Sequence, residues 1–400
     1  MSRFDELIAE LCPDGVEYRE IGSILNYEQP TKYLVASKNY SDEFATPVLT
    51  AGKTFILGYT SEEDGIYPSS AENPVIIFDD FTTDFKWVDF PFKAKSSGMK
   101  MLTVANKLET SFRYVYYAMQ MIPYVPLDHK RHWISEYSHF EIPVPPIEVQ
   151  REIVRILDAF AELTTELTTE LTCRKQQYAY YRDQLLSRES LESLDGKLVE
   201  MKRLGDVSDT LTGFPFKSKE FKVSGIKVAR GINVKRGSMI FDDDNTVCWK
   251  SSDGLEKYIL NGGDILIAMD GSLVGKSFGV IAESDLPAIL GQRVTRVRCS
   301  EIDPRFVFHI IASGTLEAMV DKKKTAGAVP HVSLKDIQAI EIPIPSLATQ
   351  RKVVDILDRF DALTTSLTDG IPAEIEARRQ QYEYYRDRLL DLPRKDADAT

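Results

Sequence analysis

The side chains best suited to chemistry are cations set beside aromatics, and both halves of the chain carry them. In the first half, Phe85 to Lys107 holds Lys86, Lys93, Lys95, Lys100 and Lys107 against one acid, Asp89, with Trp87 next to Lys86. His129-Lys130-Arg131-His132-Trp133 follows. In the second half, Thr212 to Phe221 (TGFPFKSKEF) carries Lys217 and Lys219, and Gly225 to Gly237 (GIKVARGINVKRG) carries Arg230, Asn233, Lys235 and Arg236. Lysine and arginine bond phosphate oxygens, and the planar groups beside them can meet bases. Arginine and asparagine match the edges of guanine and adenine in the major groove. The candidate DNA-contacting residues are therefore Lys86, Lys93, Lys95, Arg131, Lys217, Lys219, Arg230, Asn233, Lys235 and Arg236. A solvated loop is the competing reading for each of them taken singly.

Other chemistries find no pattern. Gly271-Ser272-Leu273-Val274-Gly275-Lys276-Ser277 is one residue short of a phosphate-binding loop, whose spacing lets backbone amides wrap the phosphates. It reads as a turn between strands. The one Pro-Pro pair, Pro145-Pro146, lacks the flanking residues with which adenine methyltransferases hold a flipped base, and no HExxH occurs. Cys12, Cys173, Cys248 and Cys299 are scattered, which signals neither a zinc site nor a disulfide framework. Carboxylates are plentiful, but no cluster stands out as a nuclease centre. No catalytic residue and no metal ligand is assigned.

What must position the cations is a repeated stretch. Ile142 to Leu186 (IPVPPIEVQREIVRILDAFAELTTELTTELTCRKQQYAYYRDQLL) returns as Ile342 to Leu390 (IPIPSLATQRKVVDILDRFDALTTSLTDGIPAEIEARRQQYEYYRDRLL). Apolar residues recur at helical spacing, and the packing stripe is expected to use Phe160, Leu163, Leu167, Leu171 and Tyr178 in one copy. Phe360, Leu363, Leu367, Tyr382 and Tyr385 do the same in the other. Prolines 143, 145 and 146 set the start of the first helix, and nothing breaks it before Gly196. Asp369-Gly370-Ile371-Pro372 should interrupt the second. A stripe this long cannot bury itself, so the two copies should pair antiparallel. A dimerisation coiled coil is the bland alternative.

Between the repeats lie two dissimilar segments with faint matches. Val16–Ile24 (VEYREIGSI) parallels Val199–Val207 (VEMKRLGDV), and Arg113-Tyr114-Val115-Tyr116 parallels Arg305-Phe306-Val307-Phe308. The division read from the sequence is 1–141 and 191–341 for the globular segments, 142–190 and 342–391 for the helices, and 392–400 for an acidic, disordered tail. The fold class is α+β, with two pseudo-symmetric mixed domains joined by two long antiparallel helices. A net charge of −12 argues against nucleic acid as a total, but binding depends on patches, and much of the acid lies in helices and tail. No apolar run reaches a membrane span and no leader is evident, so a cytoplasmic location is expected.

The helices carry IPxP, QR, TTELTTEL and QQYxYYRDxLL, and the segments carry TGFPFKS and GDILIA. Together these resemble the DNA-specificity subunit of type I restriction–modification systems, along the whole chain. The resemblance implies two target-recognition domains, each reading half of a split, asymmetric site on double-stranded DNA. The helices would fix the separation and dock two adenine-methyltransferase subunits. Restriction subunits, which are motor-nucleases, would join them. It implies no catalysis and no bound cofactor here; S-adenosylmethionine, ATP and Mg2+ would serve the partners. The competing classes are an autonomous DNA-modifying or DNA-cleaving enzyme and a coiled-coil scaffold.

Overall fold

The computed structural model describes residues 3–52, 54–271, 273–323, 331–366 and 369–395. The first segment runs through helix α1 (Arg3–Leu11) and strands β1 (Glu17–Glu20), β2 (Leu25–Glu28), β3 (Thr46–Leu49) and β4 (Ile56–Thr60). It continues as β5 (Val75–Asp79), β6 (Phe85–Val88), β7 (Lys93–Ala94), β8 (Met99–Val104), helix α2 (Phe112–Met119) and β9 (Glu141–Val144). Strands β2, β8, β5 and β6, in that order, form an antiparallel sheet, and β4, β3 and β7 form a smaller one. The apolar run of β5 is buried on both faces, as an inner strand requires. Ser111 caps α2 by accepting from the Tyr114 amide, and the helix buries Tyr114, Val115 and Tyr117.

Helix α3 (Ile147–Leu185) and the short α4 (Arg188–Asp195) lead into the second segment. Its strands are β10 (Glu200–Arg203), β11 (Asp209–Thr212), β12 (Ile226–Ala229), β13 (Arg236–Gly237) and β14 (Cys248–Trp249). Then come β15 (Ile265–Ala268), β16 (Phe278–Val280), β17 (Ala288–Leu290), β18 (Val294–Arg298), helix α5 (Pro304–Ile310) and β19 (Glu341–Ile344). The sheet orders β11-β18-β15-β16-β13 and β14-β12-β17 repeat those of the first segment, with β13 added. The register repeats as well. Tyr18 faces Pro143 and Met201 faces Pro343, so each IPxP motif is an antiparallel strand on the VEYRE or VEMKR segment.

The second long helix comes in two pieces, α6 (Leu347–Thr365) and α7 (Ile371–Leu390). The expected break is present: Ser366 leaves the helix, and Gly370 lies so close to the carbonyls of Ala362 and Ser366 that a Cβ would stand 2.7–2.8 Å from them. The first helix is continuous for 39 residues, roughly 60 Å.

The chain divides into two compact units, 1–167 with 375–400, and 168–374, so the boundaries cut through the long helices rather than between helix and domain. In unit one Phe160 stacks on Tyr385 at 5.2 Å. In unit two Tyr178 and Tyr181 stack on Phe360 at 6.4 and 6.1 Å. Within each unit the first half of one long helix meets the last half of the other, the partner order of an antiparallel pair.

Equivalent junctions fasten these helices to each sheet pair. The Asp158 carboxylate accepts from Arg113 and Tyr117 of α2, and Asp358 accepts from Arg305 and His309 of α5. Gln150 accepts from the Ser111 amide and donates to the Pro145 carbonyl; Gln350 does the same with Asp303 and Pro345. The QR motif is thus a clamp at the helix start.

Several expectations need correction. Leu363 is 39% exposed and the neighbouring Thr364 is buried instead, because the inner face of α6 follows Val353, Leu357 and Thr364. Leu163, Leu167 and Leu171 are half-buried. Leu367 lies outside the described residues. The tail begins later than position 392: Leu392 packs in the core of unit one, and Val16 bonds the backbone of Pro393 and Lys395. Residues 396–400 lie outside the described residues. No helix among the described residues is long and apolar enough to cross a membrane.

Candidate nucleic-acid interface

In unit two, three connections meet at one end of the sheets: the turn after β12, the β15–β16 hairpin and the short β17–β18 turn. Between them is a cleft of about 620 Å3 lined by Arg230, Lys235, Asp270, Leu273, Gln292 and Arg293, among others. The β17–β18 turn is fixed from below. Gly213 of the TGFPF stretch donates to Val294, and a Cβ on it would lie 1.8 Å from the Gly291 carbonyl oxygen. Only glycine allows that approach. Gln292 and Arg293 stand exposed on the turn, with Arg293 3.1 Å from Asp270. Leu273 and Ile232, 59% and 49% exposed, add apolar tips on two sides of the cleft.

Of the second-half candidates, Arg230 and Lys235 line this cleft. Arg230 is half-buried, lies over Phe221 and donates to the Asn245 carbonyl. Arg236 is exposed, 3.6 Å from Glu317, which also pairs with Lys276. Lys217 and Lys219 are exposed but outside the cleft, on the turn flanking the Phe216–Trp249 cluster. Asn233 is a correction. It is fully buried, accepts from the Arg230 amide and donates to the carbonyls of Ile240 and Asn245. Its side chain shapes the turn and offers no edge to a base.

Unit one places the corresponding connections together: the loop after β3, the β5–β6 hairpin (80–84) and the β7–β8 turn (95–98). Lys95 donates its amide to Leu49 as Gly291 does to Ala229, which aligns the two short turns. Against the hairpin lies the 129–133 segment. Phe81 stacks on His129 at 4.8 Å, the His132 amide donates to the Asp80 carbonyl, and the Trp133 amide donates to the Asp80 carboxylate. Beneath them Lys100 and Asp80 pair at 3.0 Å with side chains 2% and 1% exposed. A buried pair with its remaining acceptors filled holds a loop rigidly, and losing one partner strands a charge.

Arg131 is exposed on this segment, beside Lys130, and stays a surface cation. Lys95 is half-buried and donates to the Tyr40 hydroxyl. Lys86 sits half-buried on edge strand β6 opposite Ile77, just past the β5–β6 hairpin. Lys93 is the second correction. Its side chain is 5% exposed and bonds Glu62 at 2.9 Å and the Asp64 carbonyl at 2.6 Å. Amides of Ser37 and Ala36, with Lys93, hold the Glu62 carboxyl down at about 2. This is an internal brace.

Neither Gln292 nor Arg293 is among the candidates drawn from the sequence. The available signal was a polar Gly-Gln-Arg directly after the apolar run Ala288–Leu290. Lys100–Asp80 left no signal, since a pairing between distant positions is not written in either residue. Among the described residues no three or more metal-binding side chains gather. What converges at both loop ends is exposed cation with an aromatic or aliphatic tip, joined in unit two by the Gln292 amide, a surface suited to phosphate and base edges.

Comparisons with known proteins agree with this architecture. The family described as the type I restriction modification DNA specificity domain matches twice, over residues 13–173 and 196–377. The type I restriction enzyme EcoR124I/EcoR124II specificity subunit of Escherichia coli is 43% identical, covering 95% of this chain and 96% of its own length. A type I restriction–modification S subunit from M. genitalium has a similar fold, with TM-score 0.56 at 17% identity over 94% of this chain and 96% of that one. So does a chain solved for complex assembly and conformational transition of the type I R-M system, with TM-score 0.54 at 16% identity over 95% and 98%.

Proposed function

The chain belongs to the type I restriction–modification DNA-specificity family, and from that premise we propose how its parts divide the work of sequence-specific DNA binding. Each unit reads one half of a bipartite, asymmetric site with the loop end described above. The long helices set the separation of the half-sites and dock two methyltransferase subunits, with restriction subunits completing the assembly. The chain itself is the non-catalytic subunit. S-adenosylmethionine, ATP and Mg2+ act in the partners, and the assembly works in the cytoplasm.

The observation that carries this reading is the repeated junction. Arg113–Asp158 and Arg305–Asp358 fix equivalent helices to equivalent points of the two long helices. The loops beyond differ in every cation. Equivalent mounting with different readers is what an asymmetric two-part target demands. Two recognition surfaces held by a stiff element can address one face of a duplex about one turn apart, roughly 34–36 Å, which a flexible linker would blur.

The deciding experiment is methylome sequencing of cells that carry this chain with its partner subunits. A two-part motif with a fixed gap is expected. Methylation at a single uninterrupted motif, or none above cells lacking this chain, refutes the reading. DNA modification or cleavage by the purified chain alone, given S-adenosylmethionine or Mg2+, would favour an autonomous enzyme instead.

A further inference from the structure

We propose that Arg293, buttressed by Asp270, reads a guanine in the half-site addressed by unit two. The inference rests on the DNA-specificity reading and assigns one base contact within it.

Four observations carry it. Arg293 is 71% exposed at the rim of the cleft, on the tightest of its three connections. Its backbone has φ 64°, in the left-handed region where a side chain is disfavoured and glycine or asparagine is usual. An arginine kept there at a backbone cost points to a task for its side chain. Its base is rigid, since Gly213 packs under Gly291 and the Arg293 carbonyl accepts from the Met269 amide. Finally, the guanidinium nitrogen nearest Asp270 is Nη1, at 3.1 Å. That leaves the edge formed by Nε and Nη2 for another acceptor pair.

Guanine presents N7 and O6 as two acceptors side by side in the major groove, and the two-donor edge of arginine fits them. A carboxylate on the other side fixes the guanidinium plane and limits its swing, so fewer rotamers are lost on binding. The same carboxylate repels a phosphate brought to this spot. Arg293 with Asp270 is therefore a poor general phosphate site and a good base reader. In unit one the carbonyl that accepts from the equivalent hairpin amide, that of Asp80, belongs to Gly98, so no arginine stands at that position and the two half-sites are not read alike.

The test uses the full chain assembled with the methyltransferase subunits of its own system and a library of duplex DNA with randomised positions. Bound duplexes are recovered and sequenced for wild type, Arg293→Gly, Arg293→Lys and Asp270→Asn. Arg293→Gly removes the side chain where the backbone favours glycine, so its melting temperature should match or exceed wild type, and misfolding is checked directly. Expected is a drop of about 5- to 150-fold in preference for one G·C pair in one half-site, the other half-site unchanged. Arg293→Lys should lose the same preference while keeping most of the overall affinity, because a lysine has no planar two-donor edge. Asp270→Asn should relax that position alone.

If wild type selects no two-part sequence, the DNA-specificity reading itself fails. If wild type selects one and Arg293→Gly selects the same, this proposal fails and the reading stands. Uniform weakening on all sequences would make Arg293 a phosphate contact and also overturn it. So would lost preference at an A·T pair. Unchanged base preference in Asp270→Asn overturns the buttress.

Discussion

Asp158 and Asp358 hold the same grip in the two units, yet their surroundings differ: Tyr117 bonds Asp158 in unit one, whereas in unit two His309 bonds Asp358 and Arg305 also approaches Asp361 at 3.6 Å. Burial works against the charge on Asp358, but hydrogen bonds from His309 and Arg305 outweigh it and hold the carboxyl down at about 2. A carboxyl depressed in the folded state stabilises the fold above its unfolded value, about 3.9, and loses that contribution as pH falls through the folded value. The melting-temperature gap between wild type and Asp358→Asn should therefore narrow as pH drops from about 5 to about 2. A gap that stays constant over that range would show that the carboxylate's charge is not what holds the junction. Asn233→Ala should destabilise by about 1–3 kcal/mol, because it strands the Arg230 amide and the Ile240 carbonyl, while the Asn245 carbonyl keeps Arg230. Denaturation of the isolated chain reads this; a normal stability with altered DNA preference would restore Asn233 as a base reader. The RYVY and RFVF match was legible in the sequence because both copies keep an arginine at the junction. The buried states of Asn233 and Lys93 were not, because their partners lie in irregular loops and residue type alone does not reveal pairing.

The long helices were legible as elements because their apolar period is strong and prolines mark their starts. Which apolar residue of each adjacent pair turns inward was less so. Leu357 is buried while the adjacent Ile356 is 42% exposed, and Thr364 is buried while the expected Leu363 is not. The buried strands β5 and β15 are continuous apolar runs that a sequence displays by itself, but Lys93–Ala94 is two residues long and carries no period. The tandem Thr-Thr-Glu-Leu units at 164–171 have a clear consequence. The division between the compact units falls inside them, at Leu167/Thr168, and their leucines are only half-buried. One inserted unit adds about 6 Å and about 40° beyond a full turn. Leucine still recurs every four residues, a stutter that paired helices absorb by local unwinding. Inserting Thr-Thr-Glu-Leu after Leu167 should lengthen the gap of the methylated site by one or two base pairs at about 3.4 Å each, with both half-sites kept. Methylome sequencing checks it, and an unchanged gap or altered half-site bases would count against the helices as a ruler.

At the scale of the whole molecule, the net charge of −12 and the cationic loop ends are compatible because charge is apportioned by surface. The two-domain plan followed from the repeat, but composition could not say that unit one is assembled from both ends of the chain. Tyr382, Tyr385, Leu389, Leu390 and Leu392 all pack into its core. Burying a side chain of this size contributes about 1.5–3 kcal/mol, so together they rival the ~5–15 kcal/mol stability of an ordinary domain. A chain ending after Glu374 should leave unit two protected from hydrogen exchange and unit one open; equal protection of Val16–Glu20 in both forms would show that unit one folds without its last helix. Synthesis runs in one direction, and that gives the interleaving a meaning in time. Residues 168–374 are contiguous and can fold as they emerge, whereas the earlier-made residues 1–167 wait for the last turns of α7. At ~5–20 residues per second the wait is roughly 10–40 s. For that interval the nascent chain carries an unfinished apolar surface, so chaperone demand should fall on the half translated first rather than the half translated last.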